Sequence, residues 1–377
     1  MGIPGTIDEE EKSIEILLPY GTQLTSLVPT FTTTGTSVTV EGEIQISGTS
    51  IQDFTNPVVY TVTAEDGTSV QYTVTVPYPV LYVTNSSDGT VSVINGLNGT
   101  VLKTVPVGTQ PVGLCINSDT RKIYVANKGD GTVTVLDGST NTVLTTISLT
   151  GTDPQMVAIY PELNKVYVAY EYYDDLVEII DGATDTVVGS YATSGNYPVG
   201  MAVNPVSGKI YIVLWGDSSV DVVNGVTDTF LANISVINSY ELGGIAVDPL
   251  KNLIYIPNVS STGELQVIDG NTDTVSGTVI GVGNTPIAVA VDTEQSRVYV
   301  VNQGSGTVSV IDSESAMVMT TVPVGTNPIG IAVSEKHSLV YVVNQGDATV
   351  SVLDGKTYAV LDTIPVGSDP LFIDALE

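Results

Sequence analysis

From Val80 onward, apolar and polar positions fall into short runs that repeat as a set. One complete set reads as four strands: Pro111–Ile116, Lys122–Asn127, Thr132–Asp137 and Thr142–Ser148. The second run of each set is almost continuously apolar, as expected of a strand packed on both faces. The third alternates, and Gly-rich turns such as Gly304-Ser305-Gly306 separate the second run from the third. A tyrosine marks the second run each time, at Tyr82, Tyr124, Tyr167, Tyr211, Tyr255, Tyr299 and Tyr341, in steps of 42, 43, 44, 44, 44 and 42 residues. A period of this size in strand-type sequence is that of the blades of a β-propeller. The pattern predicts an all-β, seven-bladed ring over residues 79–377. It enters at a second strand (Val80–Asn85) and leaves at a first strand (Pro370–Ala375), so the C-terminal strand is expected to complete the first blade.

Residues 1–78 do not follow the repeat. Ser13–Pro19 alternates, Leu27–Thr33 and Ser37–Val40 read as short strands, and a hairpin follows: Val58–Ala64, the turn Glu65-Asp66-Gly67-Thr68, then Val70–Val76. Asp-Gly between two alternating runs is a strong hairpin signal. The expectation is a small Ig-like β-sandwich, joined through Tyr78-Pro79 to the ring.

Charge narrows the range of functions. Lys and Arg number 11 against 41 Asp and Glu, giving a net charge of −30. Such a surface repels phosphate backbones, so nucleic acid is excluded as the expected partner. No apolar run is long enough for a membrane-spanning helix, so membrane insertion is not expected. The start, Met1-Gly2-Ile3-Pro4-Gly5, carries no signal peptide, and an exported form is expected to have lost one. Sequons at Asn85, Asn98, Asn233 and Asn258 are compatible with a glycosylated exterior. The single cysteine, Cys115, lies in an apolar stretch and reads as a buried, inert thiol.

Tyr82-Val83-Thr84-Asn85 and its counterparts at Tyr124, Tyr299 and Tyr341 resemble the YVTN-type β-propeller repeat family. So do the Val-x-Val-Ile/Leu-Asp strands and the Val-Gly-Thr-x-Pro turns, and the resemblance spans residues 80–377. It implies an extracellular or surface-layer protein. The hairpin Tyr60-Thr61-Val62-Thr63-Ala64-Glu65-Asp66-Gly67 is similar to those of Ig-like modules in bacterial and archaeal surface proteins. Related propellers include lactonases and cofactor-bearing reductases, but likeness of fold does not transfer activity.

Catalytic groups are scarce. The one histidine, His337, falls in a turn of the last repeat, and no nucleophile elbow, P-loop or Cys-x-x-Cys-His is present. No catalytic residue is assigned and no enzyme is expected; a lactonase-type enzyme with a carboxylate-held metal is the least favoured alternative. The recurring Asp137, Asp181, Asp269, Asp312 and Asp354 end the third strand and read as turn residues bonding their own backbone. The loops of the third, fourth and fifth repeats depart from the pattern. They contain Tyr170, Tyr172, Tyr173, Tyr197, Tyr240 and the only tryptophan, Trp215. Aromatic rings on one loop face suit a glycan or a surface protein as partner. Glu171, Asp174 and Asp175 beside them form a candidate Ca²⁺ ligand set, and no other cofactor is expected. The leading expectation is a non-enzymatic, extracellular binding or scaffold protein; the second is a self-assembling subunit of a surface layer or filament.

Overall fold

The computed structural model describes residues 2–170, 175–236 and 243–377. Two compact units emerge: Met1–Pro79 with Asn95–Thr100 and Glu377, and Val80–Ile94 with Val101–Leu376.

The first unit is built on strands β1 (Thr6–Asp8), β2 (Ser13–Glu15), β3 (Ser37–Val40), β4 (Glu43–Ile44), β5 (Val58–Thr63) and β6 (Ser69–Thr75). They pair in the order β1-β2-β6-β5-β3-β4, with β2 and β6 parallel and every other pair antiparallel. All six strands therefore belong to one hydrogen-bonded sheet, where the sequence had suggested the two sheets of a sandwich. The hairpin forms as expected, with Tyr60 opposite Tyr72. Its turn is closed by Asp66, whose carboxylate accepts from the Thr68 amide at 2.9 Å, and by Gly67 at φ +84°. Leu27–Thr33 forms no strand; Leu27 makes a lone bridge to Gln52, and Pro29, with no N–H, cannot extend it. Val38, Phe54, Val58, Tyr60 and Val74 form the core.

The second unit contains, among the described residues, seven four-stranded antiparallel sheets. In the sheet of Pro111–Asn117, Lys122–Asn127, Thr132–Asp137 and Thr142–Ser148, the strands pair in chain order. One sheet draws on both ends of the unit: Pro370–Leu376 pairs with Val80–Asn85, with Ile373 opposite Val83. First strands of successive sheets are neighbours, and Pro370–Leu376 touches both Pro328–Ser334 and Pro111–Asn117. The order of first strands is thus cyclic.

Burial follows the sequence pattern. Lys122–Asn127 is buried after its first residue, whereas Thr142–Ser148 is mostly exposed. Apolar clusters mix side chains of adjacent sheets, as Tyr124, Val133 and Val135 do with Val157, Val166 and Val168. The tyrosines that set the period connect those sheets. The Tyr124 hydroxyl donates to Asp185 at 3.0 Å, Tyr167 to Asp228 at 2.9 Å and Tyr82 to Asn141 at 2.6 Å, each acceptor lying one sheet further on. Lysines reinforce the same points, with Lys122–Asp185 at 2.7 Å, Lys165–Asp228 at 2.6 Å and Lys209–Asp273 at 2.7 Å. Three of the 11 basic residues thus connect neighbouring sheets.

Candidate functional site

The second, sixth and seventh repeats share one device at the loop end of the sheet. The asparagine that ends the second strand is buried and reaches in two directions. Asn127 Nδ2 donates to Thr132 Oγ1 at 3.0 Å and Thr134 Oγ1 at 2.9 Å, while its Oδ1 accepts from the Gly108 amide at 3.0 Å. Asn302 does the same with Thr307, Ser309 and Gly283, and Asn344 with Thr349, Ser351 and Gly325. One side chain thereby ties the second strand to the third and to the loop entering the sheet. Room is tight: a Cβ at Gly108 would come within 2.5 Å of the Asn127 carboxamide.

The third and fourth repeats lack that asparagine and carry Tyr170 and Leu214 instead. In the same repeats, the third residue of the third strand changes from Ser or Thr to Glu178 and Asp221. The entering loop also gains one residue. Gly108-Thr109-Gln110 becomes Thr150-Gly151-Thr152-Asp153 and then Ser194-Gly195-Asn196-Tyr197, each before the proline that opens the sheet. These changes fit together. The Thr150 amide and hydroxyl and the Tyr170 hydroxyl all donate to the Glu178 carboxylate, the Thr150 amide at 3.1 Å. Ser194 donates its amide at 2.7 Å and its hydroxyl at 2.5 Å to Asp221, which also accepts from Asn233 at 2.9 Å. Both carboxylates are buried, and each has the donors that a buried charge needs. The inserted residue supplies two of them.

The rearranged loop of the fourth repeat presents two aromatic rings. The Trp215 amide donates to the Tyr197 carbonyl at 2.9 Å, the Gly216 amide to the Asn196 carbonyl at 3.2 Å, and the Asn196 amide to Asp217 at 2.5 Å. These bonds hold Ser194–Tyr197 against Trp215–Asp217, a single 3₁₀ turn. The indole and phenol rings meet edge to face, with centroids 5.7 Å apart at 83°. Tyr197 adopts φ +56° at a position where other repeats have Gln110, Asp153, Thr285, Asn327 and Asp369. A bulky aromatic in the left-handed region costs roughly 1–2 kcal/mol. Gly216 makes room for it, since a Cβ there would come within 2.7 Å of the Tyr197 ring. Trp215 remains 36% exposed and Tyr197 is half-buried.

The expected site residues thus separate into groups. Tyr197 and Trp215 are brought together. Tyr170 requires correction: it is fully buried, its hydroxyl committed to Glu178, so it is not part of an accessible face. It ends a second strand that is buried at every residue after the first, and Gly151 packs on its ring. Tyr172, Tyr173 and Tyr240, with Glu171 and Asp174, lie outside the described residues. Asp175 is exposed, and its carboxylate faces the side-chain carboxamide of Asn196 at 3.1 Å. Among the described residues, no group of three or more His, Cys, Asp and Glu side chains is placed to hold a metal ion. Asn85 and Asn258 are buried, so these two sequons are structural asparagines. His337 is half-buried, with Nδ1 3.1 Å from Ser334 Oγ. The recurring aspartates cap their own turns, as with the Ser139 amide on Asp137 at 2.7 Å and the Ala183 amide on Asp181 at 2.7 Å. Glu178 and Asp221 escaped the sequence reading. Comparing the repeats column by column exposes them, because each coincides with a lost asparagine and an inserted loop residue.

These features can be set beside known proteins. A family model described as a YNCE-like beta-propeller matches residues 56–377, most of the chain, and the protein belongs to that family. Residues 2–76 match a second model, described as SGBP, N-terminal. No curated protein matches. Among solved structures, Kuenenia stuttgartiensis hydrazine synthase is 19% identical, with 73% of this chain and 92% of that one covered and a TM-score of 0.66. A functionally unknown protein from Desulfotomaculum acetoxidans is 14% identical, covering 79% and 99%, with a TM-score of 0.69. Dihydro-heme d1 dehydrogenase NirN in complex with DHE is 12% identical, covering 78% and 74%, with a TM-score of 0.58. At these identities the likeness is one of fold. Among the described residues, no helix is long and apolar enough to cross a membrane.

Proposed function

We propose that this chain is a non-enzymatic, extracellular binding protein whose propeller presents Trp215 and Tyr197 to a neutral glycan. The observation that carries the reading is the Tyr197–Trp215 pair: a half-exposed ring pair on a loop bonded in place, with Tyr197 in a backbone conformation unfavourable for its type. Flat apolar ring faces of this kind stack on sugar rings, whose hydroxyls remain free for polar neighbours. The net charge of −30 disfavours sulfated or other anionic glycans. Support for a surface role comes from the SGBP N-terminal match, a name that points to surface glycan binding. The finer fold of the second unit belongs to the same reading: a seven-bladed ring of the YVTN type, closed by Pro370–Leu376. The seven four-stranded sheets and their cyclic order favour it.

Trp215 is the only indole, so its fluorescence reports on this face directly. Titration with a panel of neutral oligosaccharides is expected to give a saturable change in intensity and emission maximum. Trp215→Ala is expected to abolish retention on the same glycans immobilised on a surface. A flat titration, with glycan retention that survives Trp215→Ala, would sink the proposal.

A further inference from the structure

An aromatic face holds a sugar by its apolar side and leaves the hydroxyl rim unread. Selection among sugars falls to polar groups at the border of the rings. One such group, Asp175, is exposed and fixed in place beside the Tyr197–Trp215 pair. Its carbonyl accepts from the Thr193 amide at 2.9 Å, which ties its backbone to the start of the loop that carries Tyr197. Thr193 is buried, and its hydroxyl donates to the Gly195 carbonyl at 2.8 Å, so the tie has a firm base.

The Asp175 side chain is oriented as well. The Asn196 carboxamide, with its nitrogen turned toward Asp175, donates to the two carboxylate oxygens at 3.1 and 3.2 Å. The opposite orientation would set its oxygen against two acceptors. Asn196 directly precedes Tyr197, and its backbone amide and carbonyl are bonded to Asp217 and Gly216. One short side chain therefore separates the Asp175 carboxylate from the ring pair. Asp217, the other nearby carboxylate, is used within the loop by the Asn196 amide at 2.5 Å.

An ionised carboxylate offers about four acceptor positions and no donor. Asn196 occupies one on each Asp175 oxygen, and the exposed side turns the others to solvent. Two acceptors side by side match two hydroxyls on neighbouring carbons of one sugar ring. Equatorial hydroxyls project in the plane of that ring, so they reach sideways to Asp175 while the ring lies flat on an aromatic face. A substituted oxygen has no proton to give, and a polar site rejects a partner that lacks the matching group.

We infer that Asp175 sets the specificity of the Trp215–Tyr197 face by accepting two neighbouring equatorial hydroxyls of the stacked sugar. The ligand class is a 1,4-linked β-glucan or β-xylan, in which O2 and O3 of every interior residue are free. This rests on the glycan reading of the ring pair. In a 1,3-linked β-glucan, O3 is blocked along the interior, although composition and charge are the same.

Trp215 fluorescence of the full chain tests this with the 1,4-linked and 1,3-linked β-glucose hexamers. Wild type should bind the 1,4-linked hexamer about five- to thirtyfold more tightly. Asp175→Asn keeps the shape but replaces one acceptor by a donor. It should weaken the 1,4-linked hexamer by a similar factor and leave the 1,3-linked one unchanged, at the wild-type melting temperature. Binding of neither hexamer, nor of any other neutral glycan, defeats the glycan reading itself. Equal binding of the two hexamers by wild type, or an equal loss of both in Asp175→Asn, overturns the role of Asp175 and leaves that reading standing. Loss of binding in EDTA would put a cation between Asp175 and the sugar, and tighter binding of a free-amine glucosamine hexamer would make Asp175 an ion-pair partner; either overturns the direct contact with two hydroxyls.

Discussion

The second and fourth repeats perform the same structural task by different chemistry. In the second, Asn127 bonds outward to the entering loop and sideways to the third strand, using a neutral carboxamide. In the fourth, Leu214 fills the asparagine's place with apolar bulk, and Asp221 on the neighbouring strand holds the loop through Ser194. Moving the anchor by one strand accommodates one more loop residue. That longer loop carries Tyr197 to Trp215. Departure from the repeat is therefore concerted: the lost asparagine, the gained carboxylate and the inserted residue make one exchange, and the exposed aromatics rest on it.

The largest expected effect comes from breaking either anchor. Asn127→Leu strands the Gly108 amide, and Asp221→Ser strands the Ser194 amide. Each should cost about 1–3 kcal/mol, the range for removing one partner of a partly buried hydrogen bond. Urea unfolding of the propeller measures both. Restoring the regular arrangement in the fourth repeat, by deleting Ser194 together with Leu214→Asn and Asp221→Ser, should regain most of that loss. If the triple change is no more stable than Asp221→Ser alone, the two anchors are not alternatives.

A further departure sharpens the comparison at the first strands. Ala158, Ala202, Ala290 and Ala332 occupy matching positions, where two neighbouring first strands carry Cys115 and Asp374. Burial raises the Asp374 carboxyl to about 7, opposed by the Ala375 amide at 2.8 Å and the Ile116 amide. The Cys115 thiol is pushed well up by its own burial and by this carboxyl. The native state thus binds a proton between about pH 4 and 7 that the unfolded chain has released, so stability falls as pH rises through that window. Wild type should lose about 1–3 kcal/mol from pH 5 to pH 8, a value reduced from full linkage because Asp374 is only half-buried as a residue. General charge repulsion acts in the same direction. The Asp374→Ala difference isolates the local part: the variant should have a shallower slope and greater stability at pH 8, read from melting temperatures across pH. Parallel slopes for the two proteins would refute it.

The smallest effect separates the tyrosine bridges. Tyr124 donates to a carboxylate that Lys122 also holds, whereas Tyr82 donates to the neutral Asn141. Tyr124→Phe should cost about 1.5–3 kcal/mol and Tyr82→Phe about 0.5–1.5 kcal/mol. Equal losses in urea unfolding would show that the charge on Asp185 adds nothing.

Much of this molecule was legible before folding. The tyrosine period located the second strands, the Gly-rich turns bounded them, and Asp137 and Asp181 read as turn caps because an Asx side chain reaches its own backbone two residues on. These are local relations, and a repeated sequence states each of them several times. Tyr170 was misread because an aromatic at a loop border looks exposed, while the strand it ends is buried on both faces up to that residue. The first unit resisted for a related reason. A β2–β6 parallel pairing joins residues about sixty positions apart with no turn to announce it. Local periodicity determined the strands, their order and the propeller class. Only the tertiary structure decided that Glu178 and Asp221 are anchors, that Tyr197 meets Trp215, and that Asp175 faces the Asn196 carboxamide. Hydrogen bonds and burial depend on which distant groups share a space, and a one-dimensional pattern carries no distances.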